Sequence, residues 1–125
     1  MLVLDSGAVT RFSRRDRATA ALLLALRRRG LWPPLVPTVV LAESLTGSRR
    51  DANINRLIKT CDVREVVPER LARRAAALRA DAHRGSAVDA VVVAMAEPGG
   101  TVLTSDRDDL TALAAHAVDV GIEVV

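Results

Sequence analysis

Residues 101–110 read TVLTSDRDDL, and this segment indicates the fold class of the chain. Its first four residues have the apolar character of a strand, Asp106 closes that strand, and a helix pattern begins at Asp108. The chain opens in the same way, because the apolar run 1–4 is closed by Asp5. Strands that alternate with helices along a sequence predict βαβ units, and therefore an α/β fold with a mostly parallel sheet.

The same patterns predict five strands and six helices, with no repeat or linker between them. The predicted strands are residues 1–4, 35–36, 63–67, 101–104 and 121–125. The predicted helices are residues 16–29, a helix capped by Thr38, residues 51–61, residues 69–83, a helix opened by Ser86, and residues 108–115. Gly30 and Gly85 are placed as the C-terminal stops of two of these helices.

The length of 125 residues predicts one domain, residues 1–125. Half of the residues are hydrophobic and only 2% are aromatic, which suits Leu, Val and Ala packing between helices and a parallel sheet. We expect no membrane span, because no apolar run reaches about 18 residues. A single cysteine, Cys61, and an N-terminus without a signal-peptide pattern favour a cytoplasmic protein.

Five acidic residues mark the candidate functional site. They stand where one structural element gives way to the next, and they are Asp5, Glu43, Asp89, Asp106 and Asp108. Carboxylates are costly to hold near one another unless they share a positive charge. A hard divalent cation with oxygen ligands is the simplest such charge, so the set predicts a metal site.

Structural explanations compete with this hypothesis at each position. Ser86-x-x-Asp89 has the form of a capping box, which taken alone favours capping over catalysis by about two to one. Asp106 and Asp108 also precede or open a helix, where acids favour the helix dipole. The structural explanation is weaker for Asp5, which a fully apolar strand does not need at its end. It is weakest for Glu43, which is expected to face or border the core, where an unpaired glutamate is unfavourable. The metal-site hypothesis fails only if a purely structural explanation holds for every one of these acids.

Arginine supplies all but one of the basic residues, and the arginines cluster. The clusters are Arg14, Arg15 and Arg17; Arg27 to Arg29; Arg49 and Arg50; and Arg73 and Arg74. A basic rim around acids suits a phosphodiester substrate. For any single cluster, however, a solvated helix face is the more favoured explanation, and a GC-rich genome accounts for the Arg-rich usage at least as well. The sequence contains no histidine and cysteine cluster for zinc, no glycine-rich phosphate loop, and no histidine partner for a nucleophilic serine.

Taken in order, the motifs LVLDSGA, PTVVLAES, AVDAVVVAMA and TVLTSDRDDL resemble those of PIN-domain ribonucleases, and among them the VapC-type toxins. The resemblance covers the whole chain and implies a three-layer α/β/α sandwich. It implies that Asp5, Glu43, Asp89 and Asp106 are the catalytic, metal-binding acids and that Asp108 is an auxiliary ligand. It also implies that Ser6 and Ser105 hold metal-bound water.

The activity implied is a metal-dependent endoribonuclease that uses Mg²⁺ or Mn²⁺, acting as the toxin of a type II toxin–antitoxin pair. The implied partners are an RNA substrate such as transfer or ribosomal RNA, a VapB-like antitoxin, and a second copy of the chain in a homodimer. Two alternatives remain open at this point. One is a receiver-like, Mg²⁺-binding signalling domain, and the other is a catalytically silent RNA-binding module.

Overall fold

A five-stranded sheet forms the middle layer of this computed structural model, which describes residues 1–125. The strands are β1 (Leu2–Leu4), β2 (Leu35–Pro37), β3 (Asp62–Arg64), β4 (Thr101–Thr104) and β5 (Gly121–Val124). They lie in the order β3-β2-β1-β4-β5, and every neighbouring pair is parallel. The parallel sheet predicted from the alternation of elements is therefore confirmed.

Helices cover both faces of this sheet. They are α1 (Ser6–Phe12), α2 (Arg17–Arg28), α3 (Thr38–Ser44), α4 (Ala52–Ile58), α5 (Glu69–Ala82), α6 (Ala87–Ala96) and α7 (Asp108–Ala114). The helix α1 packs against α2, α3 and α4, whereas α5, α6 and α7 pack against one another. These two groups make the outer layers of an α/β/α sandwich, as predicted. No helix is both long and apolar enough to cross a membrane.

The core consists of aliphatic side chains around the two central strands. Val3 and Leu4 of β1 and Val92 and Val93 of α6 are fully buried. Phe12 is the only aromatic residue in the buried cluster, which fits the low aromatic content of the chain. Because β1 and β4 are packed on both faces, the loops that leave their carboxyl ends start from a rigid base.

The position of the site follows from the strand order. From β1 the chain passes to β2 on one side, while β4 pairs with β1 on the other, so the order of the strands reverses at β1. In open α/β sheets, ligands bind in the crevice beyond the carboxyl ends of the strands at this reversal. The receiver-like alternative is wrong as to fold. Receiver-like domains have the flavodoxin-like strand order, in which β3 lies beside β1, whereas the neighbours of β1 in this sheet are β2 and β4.

Several details of the predicted elements need correction. The helix α1 was not predicted, since its sequence is short and starts with Ser6 and Gly7 directly after a strand. Thr38 is not a cap, because Pro37 precedes α3 and no side chain caps that helix. The third strand covers 62–64 rather than 63–67. The helix α5 ends at Ala82, and its C-terminal cap is His83 in the left-handed conformation (φ of 56°) rather than Gly85.

Candidate metal centre

A small acidic cavity lies beyond the carboxyl ends of β1 and β4. Its volume is about 200 Å³. The acids that line it are Asp5, Asp89, Asp106 and Asp109. Three of the five acids singled out in the sequence therefore meet in one cavity, although they are separated by up to about a hundred residues along the chain.

Asp5 forms the floor of this cavity. Its side chain is only 8% exposed, its backbone N–H donates to the Leu103 carbonyl (3.2 Å), and its carboxylate accepts a hydrogen bond from the Ala8 amide at 2.7 Å. The residue thus ends β1 and caps α1 at once. Burial raises the pKa of Asp5, and the nearby charges of Asp89 and Glu43 raise it further against the opposing hydrogen bonds.

Asp106 stands on a turn that its neighbours hold in place. The buried Thr104 hydroxyl donates to the Asp106 carbonyl (2.7 Å) and accepts from the Asp106 amide (3.0 Å). The Asp106 carboxylate in turn accepts from the Asp108 amide (3.3 Å). The side chain of Asp106 is exposed, so its carboxylate is anchored through the backbone while one oxygen stays available to a ligand.

The first turn of α1 touches the turn after β4 at Gly7 and Ser105. A Cβ atom on Gly7 would overlap the Ser105 hydroxyl oxygen and lie 3.1 Å from the Ser105 amide nitrogen. A side chain at position 7 would therefore have to displace the Ser105 side chain and shift the turn after β4 slightly. The close contact at Gly7 keeps Asp5 and Asp106 beside the same cavity.

Asp89 fulfils the structural role that competed with catalysis and also lines the cavity. Ser86 accepts a hydrogen bond from the Asp89 amide (3.0 Å), and the Ser86 amide donates to the Asp89 carboxylate (3.1 Å). This is a complete capping box at the start of α6. Because the box uses one carboxylate oxygen, the second remains free for a ligand.

Glu43 lies apart from the other acids. It lines a neighbouring cavity of about 510 Å³ together with Arg11 and Arg14. The expectation that Glu43 borders the core is wrong, because its side chain is exposed on the short helix α3. The two cavities share Ser6, Gly7 and Ser105, so the charge of Glu43 still acts on Asp5.

The first turn of α7 holds a residue that the sequence reasoning missed. Asp109 lines the acidic cavity, whereas Asp108 does not. Asp109 is paired with Arg84 at 2.8 Å across an exposed salt bridge. A role for Asp108 as a ligand stays a prediction. Two adjacent acids in one helical turn give no sequence signal for which of them faces inward.

The donors around the cavity suit a hard divalent cation in type and charge. They are carboxylate oxygens, and Asp5, Glu43, Asp89 and Asp106 take part in none of the salt bridges of the chain. In the present conformation, no three acidic, histidine or cysteine side chains converge closely enough to hold one ion. The exposed carboxylates of Glu43 and Asp106 would therefore have to rotate toward Asp5 to enclose a cation.

No protein-family model matches this sequence, and no curated protein matches it either. Among solved structures, the chain is similar to the crystal structure of FitAcB from Neisseria gonorrhoeae. The TM-score is 0.63 at 19% sequence identity, and the match covers 98% of this chain and 96% of that chain. The chain has a PIN-like α/β/α fold. At this level of identity the likeness establishes the fold alone.

Proposed function

We propose that this protein is a metal-dependent endoribonuclease that acts as the toxin of a toxin–antitoxin pair. The observation that supports this most strongly is the buried carboxylate of Asp5, which lies with Asp89 and Asp106 at the strand reversal and has no cationic partner. Burial of a carboxylate among other acids destabilises the fold, so its presence is best explained by a cation that binds there. The chain also shares its fold with FitAcB from Neisseria gonorrhoeae, and its four sequence motifs resemble those of PIN-domain toxins.

In this proposal, the acidic side chains of the protein bind the cation with their negative charge and hold it in position. Asp5, Asp89, Asp106 and Glu43 would hold Mg²⁺ or Mn²⁺, since oxygen-only donors select such ions. Such an ion, when bound, would supply the positive charge that activates a water and stabilises the leaving 3′ oxygen of an RNA phosphodiester. Asp5 orients its carboxylate through the Ala8 amide, and Ser6 and Ser105 present hydroxyl groups at the mouth. None of these residues needs to act as a nucleophile.

The partners follow from the same role. We propose a VapB-like antitoxin that covers the acidic cavity, an RNA substrate such as transfer or ribosomal RNA, and a homodimer of the chain. A catalytically silent RNA-binding module is the second candidate, and the absence of a converged ligand trio favours it. A cleavage assay separates the two candidates.

The test uses purified protein and total RNA with Mg²⁺, with Mn²⁺ and with chelator. Cleavage is expected with either metal and none with chelator. Asp5→Asn and Asp106→Asn should each abolish it, because both keep the side-chain shape and remove the charge that binds a cation. Asp81→Asn is the matched control, since Asp81 is exposed on α5 outside the cavity. Cleavage by both cavity variants at the rate of the control would refute the assigned site, and no cleavage by the parent chain would favour the silent module.

The toxin role has a separate test in cells. Expression of the parent chain should arrest growth, whereas Asp5→Asn at the same soluble level should not. Co-expression of the antitoxin, expected to be a small protein encoded beside this chain, should restore growth. Unimpaired growth with the parent chain would contradict the toxin role and leave the nuclease proposal standing.

A further inference from the structure

A cleft rich in arginine lies between α2 and α4, next to the acidic region. Its volume is about 590 Å³. The charged residues that line it are Arg14, Arg15, Arg17, Arg27, Arg56 and a single acid, Asp16. None of the five arginines takes part in a salt bridge, and all five are exposed. The cleft is therefore a strongly positive depression whose charge is not compensated by the chain itself.

The cleft is continuous with the candidate metal centre. Arg14 lines both the cleft and the cavity that holds Glu43. That cavity shares Ser6, Gly7 and Ser105 with the acidic cavity. The three depressions thus follow one another along the surface, from the acids, past Glu43 and Arg14, to the arginine cleft.

Arg14, Arg15 and Arg17 lie on or beside the turn between α1 and α2, and hydrogen bonds hold this turn in place. Asp16 caps α2 by accepting a hydrogen bond from the Thr19 amide (2.8 Å). The Thr19 hydroxyl is buried and accepts a hydrogen bond from Arg11, which ties α1 to α2. Hydrogen bonding from the Thr19 amide, and then from the Thr19 hydroxyl, lowers the pKa of Asp16, and the charges of Arg11 and Arg14 lower it a little further. The carboxylate of Asp16, the one acid in the cleft, is therefore occupied in capping α2, so the arginines are available to bind an external anion.

The chemistry of the cleft suits a phosphate backbone better than exposed bases. Base recognition on single strands depends on aromatic platforms, and this chain has one Phe, one Trp and no Tyr. Phe12 is buried, and Trp32 is partly covered by the Arg27 guanidinium, 5.7 Å from the ring centre. Arginine forks bind phosphate oxygens with two parallel hydrogen bonds, independently of sequence.

We propose that this arginine cleft binds the sugar–phosphate backbone of the substrate RNA strand, several nucleotides away from the phosphate at the acidic cavity. The inference rests on the proposed nuclease function for the identity of the strand. It makes the cleft a site for a flexible, single-stranded polyanion. RNA strands that reach from the acidic cavity to the arginine cleft bind more tightly than RNA strands that occupy the acidic cavity alone. The cleft itself contributes no preference for base sequence.

The test measures binding in chelator, where no cleavage takes place. The probes are a single-stranded RNA of about 12 nucleotides, a trinucleotide, and an acidic peptide of poly-glutamate. The cleft variant carries Arg15→Gln, Arg17→Gln and Arg56→Gln. The control variant carries Arg70→Gln, Arg73→Gln and Arg79→Gln on α5, which removes the same charge from exposed positions outside the cleft. Equal melting temperatures of the variants and the parent confirm that both are folded.

The longer RNA should bind the cleft variant at least about tenfold more weakly than the parent, and its salt slope should fall by about two, since each lost phosphate contact contributes about 0.7. The control variant should bind it like the parent, and trinucleotide binding should be unchanged throughout. Equal weakening in both variants, or loss of peptide binding with RNA binding intact, would overturn the proposal. Binding through the cleft by a chain that never cleaves RNA would uphold it and refute the nuclease function instead.

Discussion

The capping box at the start of α6 allows the structural and the catalytic role of one residue to be separated. The Ser86 hydroxyl accepts from the Asp89 amide at 3.0 Å, and this bond lies at the protein surface. Ser86→Ala removes it and leaves an unsatisfied helix donor to water, which costs about 1 kcal/mol of unfolding free energy. For a chain of this size that corresponds to a fall in melting temperature of roughly 3–5 °C.

Asp89→Asn perturbs the same box in a different way. The amide oxygen of Asn still accepts the bond from the Ser86 amide, so the cap survives. The negative charge near Asp5 is lost, which relieves a repulsion that raises the pKa of Asp5. The variant should therefore melt at the parent temperature or slightly above it in the absence of metal, while its RNA cleavage falls to background.

Both variants are measured by thermal melting in chelator and by RNA cleavage with Mg²⁺ on the same preparations. Ser86→Ala should lose stability and keep its cleavage rate, and Asp89→Asn should do the reverse. If Asp89→Asn cleaves at the parent rate and melts several degrees lower, Asp89 is a cap only and does not belong to the metal site.

Three further outcomes are expected. Asp5→Asn removes a buried charge at neutral pH, so in chelator it should raise the melting temperature there. It should also abolish any stabilisation by Mg²⁺, and thermal melting measures both effects. Arg74 contacts Glu97 at 2.9 Å and lowers the pKa of Glu97 below its usual 4.5. Glu97→Gln should therefore lower the melting temperature at neutral pH, and this difference from the parent should disappear as the pH falls below 4.5 through the lowered pKa. A series of melts at different pH measures this. Gly7→Val should slow cleavage in the RNA assay by forcing Ser105 away, and an unchanged rate would contradict the close packing of α1 against the turn after β4.

Much of the fold could be predicted because its signals are local. The apolar runs that end at Asp5 and Asp106 mark two strands and the edge of the sheet where they finish. The Ser86 to Asp89 spacing predicted a capping box, and the structure contains it. Such features depend on a few adjacent residues, so tertiary packing does not alter them.

The remaining features depend on contacts between distant segments. Glu43 is exposed because α3 is short and buries Val40 instead, a choice of helical phase that its sequence does not specify. The same holds for Asp109, which faces the cavity where Asp108 does not. The arginine cleft joins Arg14 to Arg56 across two helices, and no local pattern relates those positions. These placements result from how the layers pack, which the sequence pattern leaves open.

The chemistry of the cleaved ends tests the central claim most directly. In a metal-dependent reaction the attacking group is an activated water, so the ribose 2′ hydroxyl takes no part. Metal-independent ribonucleases use that hydroxyl and need a general base beside it. End-group analysis of a purified cleavage product should therefore show a 5′-phosphate and a 3′-hydroxyl, formed with Mg²⁺ or Mn²⁺ and not in chelator. A 2′,3′-cyclic phosphate formed in excess chelator would contradict the metal site and the function built on it.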